Sequence, residues 1–201
     1  MHAHEASAIE ESAHDESSSP KIFGFWTYLM TDLIIFAALF ACFLVLHENT
    51  YNGPTAKDLF HLPSVLAETL FLLTSSFTCA LGLLSVRRGI KNWAIIWFFI
   101  TFLLGLAFLY VEISEFIGFV RIDASWQRSA FLSSFFTLVG THGFHISVGL
   151  LWMVVMMFRI ALRPLNHHSV SKIFCMALFW HFLDFVWIFI FTVVYGLGYL
   201  L

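Results

Sequence analysis

The stretch FWHFLDFVWIFIF, residues 179–191, decides how this chain is read. Every residue in it is apolar except His181 and Asp184, which stand three apart. A carboxylate near the centre of a hydrocarbon layer costs about 2.5–3.5 kcal/mol on insertion scales, and more on an isolated helix. Residues three apart share a helix face. Both side chains can therefore turn toward a protein neighbour while the aromatic and aliphatic remainder meets lipid. The stretch reads as part of a membrane-spanning helix that keeps its polar groups inside a bundle.

The same regime covers most of the 201 residues: 60% are hydrophobic, 11% are charged and the mean hydropathy is +0.86. Soluble domains are about 45–50% apolar and about 25% charged. Five runs, at about Ile22–Leu46, Pro63–Val86, Trp93–Phe119, Ala130–Arg159 and Ile173–Leu201, are long enough to cross the membrane. About 30 Å of hydrocarbon takes roughly 20 helical residues. Lipid leaves a spanning backbone only helices or closed barrels, and runs of this length fit helices. The expected fold class is all-α, an integral membrane bundle of five transmembrane helices.

Residues 1–20, MHAHEASAIEESAHDESSSP, differ in kind. They are acidic, Ser-rich and without apolar periodicity, and read as a disordered tail ahead of a transmembrane domain over 21–201. No basic stretch precedes a short apolar core, so the tail does not read as a secretory signal. The connector HENTYNGPTAKDLFHL carries Asn-Gly-Pro turn chemistry, and Pro63 suits the first turn of the second helix.

Basic residues set the expected orientation. One side of a five-span chain would hold seven, namely Lys21, Arg87, Arg88, Lys91, Arg159, Arg163 and Lys172; the other would hold three, Lys57, Arg121 and Arg128. The positive-inside rule then places the N-terminus in the cytoplasm and the C-terminus in the periplasm.

The polar residues within the spans fall into layers. Asp32, His145, His181 and Asp184 lie within roughly one or two turns of the midplane, at 1.5 Å of rise per residue. Glu68, Glu112 and Glu115 lie nearer the outer face. His142 and His145 share a helix face, as do Glu112 and Glu115 and the pair His181 and Asp184. We expect Asp32, His181 and Asp184, with His145, to form one inter-helix polar cluster. Three readings of it stand side by side: hydrogen-bonded clips between helices, carboxyls that assist proton movement, or a haem site using His145 and His181. The small residues Gly140, Gly143, Gly149, Ser133, Ser134 and Ser147 would form a close helix–helix contact on the fourth span.

Cys42, Cys79 and Cys175 fall singly in three different runs and suggest neither a disulfide framework nor a zinc site. There is no phosphate-binding loop, no HExxH and no dinucleotide-binding glycine pattern. No catalytic residue and no metal ligand is assigned, and no nucleic-acid partner is expected. Two functional alternatives carry chemistry in this chain itself: a b-type cytochrome anchor ligating haem, and a proton or ion channel relaying through Asp32 and Asp184.

Five stretches together resemble subunit III of the haem–copper terminal oxidases: WTYLMTDLIIF (26–36), LPSVLAETLFLLTSS (62–76), YVEISEF (110–116), SSFFTLVGTHGFHISVGL (133–150) and FWHFLDFVWIFIF (179–191). They occur in the family's order and cover nearly all of Lys21 to Leu201. Room for five helices rather than seven is similar to the bacterial form found in cytochrome bo-type ubiquinol oxidases, with some cytochrome c oxidases as the alternative. The resemblance implies a non-redox accessory subunit of a proton-pumping quinol:oxygen oxidoreductase in a bacterial inner membrane. Haems and copper would reside in subunit I, the main contact, beside subunits II and IV, with no cofactor in this chain.

The family's buried carboxylate, usually glutamate, would fall at Asp32, one methylene shorter. The resemblance also carries His142, His145, His181, Asp184 and Glu115 onto the family's motifs and implies bound phospholipid. Arg87, Arg88 and Arg159 are the lipid head-group candidates.

Overall fold

The computed structural model describes residues 20–47, 49, 62–121, 126–162 and 167–196. The acidic segment before Pro20, the Asn-Gly-Pro connector over 50–61 and residues 197–201 lie outside them. Five long helices follow one another: α1 (Pro20–Leu46), α2 (Leu62–Arg87), α3 (Lys91–Arg121), α4 (Ala130–Leu162) and α5 (His167–Ile190). Each is long and apolar enough to cross a membrane, and no strand occurs among the described residues. The chain is an all-helical, multi-pass membrane protein.

The helix ends follow local chemistry. Helix α2 stops in a Schellman motif: the N–H of Gly89 bonds the Val86 carbonyl and that of Ile90 the Ser85 carbonyl, both at 3.0 Å. Gly89 takes φ of +73°, which a residue with a Cβ adopts only at a cost. This tight turn folds α3 back against α2 along most of its length. Helix α4 begins at a serine cap, with the Leu132 N–H donating to Ser129 Oγ at 3.1 Å. Helix α5 passes into a π-wound turn, Phe191–Gly196, which carries Tyr195 inward, edge-on to Phe135.

Helix α5 is the central element. Of its spanning window 56% is buried, against 22% for α1, and it packs on α2, α4 and α1. Two indoles stitch it to α2: Trp180 Nε1–H donates to Ser75 Oγ at 3.1 Å and Trp187 Nε1–H to Thr69 Oγ1 at 3.2 Å. On the outer faces Phe77, Tyr110 and Leu151 are exposed, as expected where lipid is the solvent.

Small residues mark the closest approaches. A Cβ on Gly149 would meet Trp180 and Phe179 at 3.2 and 3.3 Å, so this part of α4 lies against α5. One on Gly143 would meet Glu112 Oε1 at 2.7 Å, so the preceding turns of α4 lie against α3. The glycine surface of α4 thus serves two partners.

Candidate functional site

The buried polar groups sort into three clusters, and the single cluster expected from depth is divided between two of them. The first joins α1 to α4. Asp32 Oδ2 lies 3.9 Å from His145 Nε2, and the Tyr28 hydroxyl is beside the same carboxyl. His145 Nδ1 is 2.7 Å from the Thr141 carbonyl, which can only accept, so Nδ1 carries a hydrogen. In a neutral ring Nε2 then has only a lone pair to offer. The Asp32–His145 contact is favourable when a proton resides on Nε2 or on the carboxyl. Asp32 Oδ2 has no hydrogen-bond partner, and the contact with His145 is the closest charged-group approach between α1 and α4 among the described residues.

The second joins α2 to α5. His181 Nδ1 is 2.7 Å from Ser76 Oγ and 4.0 Å from Asp184 Oδ2. Asp184 is 8% exposed, and neither of its oxygens meets a hydrogen-bond partner. No hydrogen bond or ion pair links this group to Asp32 among the described residues. The division follows from helix direction: Asp32 lies on α1 and meets α4, whereas His181 and Asp184 sit on the face of α5 that meets α2. Ser76→Ala removes the neutral partner of a half-buried imidazole. It is expected to lower stability by about 1 kcal/mol, measurable as a lower thermal midpoint of the detergent-solubilised protein.

The third gathers Glu68 of α2 with Glu112 and Glu115 of α3. Their carboxyls are close enough to repel one another and to act on the Tyr195 hydroxyl. Both oxygens of Glu68 and of Glu112 are buried without a hydrogen-bond partner.

His142 and His145, one turn apart, have different surroundings. His142 is fully buried in an aromatic box, stacked on Trp187 with centroids 5.4 Å apart and edge-on to Phe108 at 6.0 Å. Neither of its ring nitrogens is hydrogen-bonded. The two histidines considered for haem face different helices, His145 toward Asp32 of α1 and His181 toward Ser76 of α2. Among the described residues no three His, Cys, Asp or Glu side chains converge in a manner that could hold a metal ion.

Of the head-group candidates, Arg87 lies over the Phe174 ring at 5.7 Å, Arg88 is exposed in the α2–α3 turn, and Arg159 Nε–H donates to Ser169 Oγ at 3.4 Å. Sequence reasoning missed Thr69, Ser75 and Ser76, the hydroxyls that receive α5, and Tyr195 above the glutamates. Thr69 and Ser76 are seven residues apart, two helical turns, and that spacing in an apolar run was the available signal.

Comparison with known proteins places the chain in a family. A family model described as cytochrome c oxidase subunit III matches residues 11–199. The chain is 52% identical to the cytochrome bo(3) ubiquinol oxidase subunit 3 of Pseudomonas aeruginosa, over 98% of this chain and 93% of that one. It is 41% identical to the quinol oxidase subunit 3 of Bacillus subtilis, over 94% of this chain and 98% of that one. It is 43% identical to the cytochrome c oxidase subunit 3 of Bacillus sp. (strain PS3), over 98% and 99% respectively.

Proposed function

Because the chain belongs to the cytochrome c oxidase subunit III family, we propose that it is the accessory, non-redox subunit III of a proton-pumping quinol oxidase in a bacterial inner membrane. The observation that carries this is 52% identity, over nearly the whole of both chains, to a protein named as a ubiquinol oxidase subunit 3. Its relatives named as quinol oxidase subunits at 41% and 42% identity favour quinol over cytochrome c as the electron donor of the complex.

In this reading haems and copper belong to subunit I, against which this chain packs, with subunits II and IV in the same complex. The N-terminus lies in the cytoplasm, as the seven-to-three distribution of basic residues implies. Arg87 and Arg88 then stand at the cytoplasmic rim, where they attract anionic phospholipid head groups. Arg159 belongs to the same rim but is partly committed to Ser169.

The chain's own chemistry is to hold helices. Asp32 and His145 tie α1 to α4 at mid-membrane. Asp32 is the residue through which this subunit supports proton uptake. The glutamates Glu68, Glu112 and Glu115 form a second, outer group, and His142 is a packing residue within its aromatic box.

The test is the complex purified with and without this chain. Without it, haem content and the initial rate of oxygen reduction with ubiquinol are expected to hold. The number of turnovers before inactivation and the protons translocated per electron should fall severalfold. Unchanged turnover lifetime and pumping would refute the supporting role. Oxygen reduction with reduced cytochrome c but not with ubiquinol would reassign the donor.

A further inference from the structure

His181 turns a ring nitrogen outward at a depth where lipid offers it nothing. Its Nδ1 is held 2.7 Å from Ser76 Oγ on α2, yet 38% of the side chain is exposed. Nε2 lies on the opposite edge of the ring, open to the outside and without a hydrogen-bond partner. Asp184 stands behind the ring with both oxygens enclosed, out of reach from that side. The spanning segment runs from Ser169 to Gly196. His181 is therefore about 18 Å and about 22 Å along the helix from its two ends, at 1.5 Å per residue, near the middle of about 30 Å of hydrocarbon.

Hydroxyls exposed on the spans close on their own helices. Thr31 donates to the Tyr28 carbonyl, Thr137 to that of Ser133 and Thr192 to that of Ile188. An imidazole whose Nδ1 is engaged across to another helix has no such recourse for Nε2. Polar side chains within a membrane face protein or a watery cavity rather than bare lipid.

Beside the ring, α2 and α5 enclose a cavity of about 180 Å³ whose rim residues Leu73, Phe185 and Ile188 are exposed. A cavity of roughly 150 Å³ holds benzene, so this one takes one large apolar side chain. An acyl tail would fill it but carries no hydrogen-bonding group at this depth. A membrane helix supplies both parts: an apolar knob for the hole and, one turn away, a polar side chain for the nitrogen. Ser76 can donate to Nδ1 or accept from it, which leaves Nε2 an acceptor or a donor in turn. A hydroxyl or carboxamide complements either form, and such groups bond across helices in membranes.

We propose that the α2–α5 face around His181 docks a transmembrane helix of another subunit of the oxidase. That helix seats an apolar side chain in the cavity and brings a Ser, Thr, Asn or Gln side chain to His181 Nε2. The inference rests on the accessory-subunit reading and names a surface that holds the chain in its complex.

The experiment uses the whole complex with a photoreactive benzophenone amino acid at Leu73 or, separately, at Ile188. Irradiation is expected to couple both positions to one transmembrane peptide of another oxidase subunit, within a helical turn of a Ser, Thr, Asn or Gln. His181→Asn keeps a polar atom where Nδ1 meets Ser76 and deletes the Nε2 edge; His181→Gln extends a polar group toward Nε2. At fixed detergent, the ratio of released to retained partner subunit is expected to rise about threefold with His181→Asn, the factor for one interhelical hydrogen bond in a membrane. His181→Gln should hold the ratio near that of the unaltered chain.

Adducts with lipid alone, with a second copy of this chain, or with a helix that lacks such a side chain would overturn the proposal. So would the reverse order of the two variants, which a group that only clips α5 to α2 through Ser76 would give. Lipid adducts in an intact complex refute this inference and leave the accessory role standing. A chain that does not co-purify with other oxidase subunits refutes both.

Discussion

Gly105→Val is expected to lower the thermal midpoint of the purified chain sharply. A Cβ at this position would stand 2.7 Å from Trp180 Cη2 and 2.8 Å from Leu150 Cδ2, so three helices, α3, α4 and α5, converge on one missing side chain. Trp180 cannot easily yield. It is 1% exposed, its N–H is held by Ser75, and Ser75 in turn donates to the Leu72 carbonyl at 2.8 Å. Overpacking a tight interior costs about 1–3 kcal/mol, and valine adds two methyls beyond the Cβ, so about 3 kcal/mol is expected.

The measurement is thermal unfolding of the purified protein, followed by reaction of a fluorogenic thiol probe with Cys79, which is fully buried in the fold. The cause is separable. Gly105→Ala with Trp180→Phe removes the clashing ring atoms. Its cost should be smaller than the sum of the two single changes by about 1 kcal/mol, the coupling expected of residues in contact. An unchanged midpoint for Gly105→Val would contradict the packing described here.

The second large effect is expected at the α1–α4 contact. Asp32→Leu leaves His145 Nε2 facing hydrocarbon, and His145→Leu leaves Asp32 with only the Tyr28 hydroxyl beside it. Breaking one side of a buried pair costs about 3–5 kcal/mol, whereas replacing both partners by apolar residues is often close to neutral. Here the contact spans 3.9 Å and His145 retains some exposure, so the lower end, about 3 kcal/mol, is expected for each single change. The double change Asp32→Leu with His145→Leu should recover most of it. The thermal midpoints of the three variants check the cycle; additive losses would show that the two groups do not act on each other. Asp32→Asn keeps the shape and is expected to spare stability and haem content of the complex while slowing proton uptake. Equal uptake rates would leave Asp32 a structural clip.

The two cases show how differently the site and the packing could be read beforehand. Asp32, His145, His181 and Asp184 were legible because a titratable side chain in an apolar run is conspicuous, and its depth follows from counting residues along a helix. Their pairing was not. The i,i+3 rule put His142 and His145 on one face, yet an offset of one turn is enough to send one into the Trp187–Phe108 box and the other to Asp32. The same counting placed Asp32 and Asp184 at one level, but level says nothing of which helices stand side by side. Ser76 and Thr69 went unnoticed because a hydroxyl can satisfy itself on its own helix backbone, as Ser85 does on Leu81, and so announces no partner.

What the sequence determined by itself is the number of spans, their helical nature and, through its motifs, the family. Lipid leaves a backbone of this length no other way to satisfy its hydrogen bonds, so a run of apolar residues is sufficient instruction. Which helix neighbours which was decided only in the tertiary structure. In water a helix marks its buried side by contrast with a polar one; in hydrocarbon both sides are apolar and that contrast is lost. Contact is then chosen by shape, through Gly105 beneath Trp180 and Gly143 beneath Glu112, and by a few polar groups that meet only when the helices are already side by side.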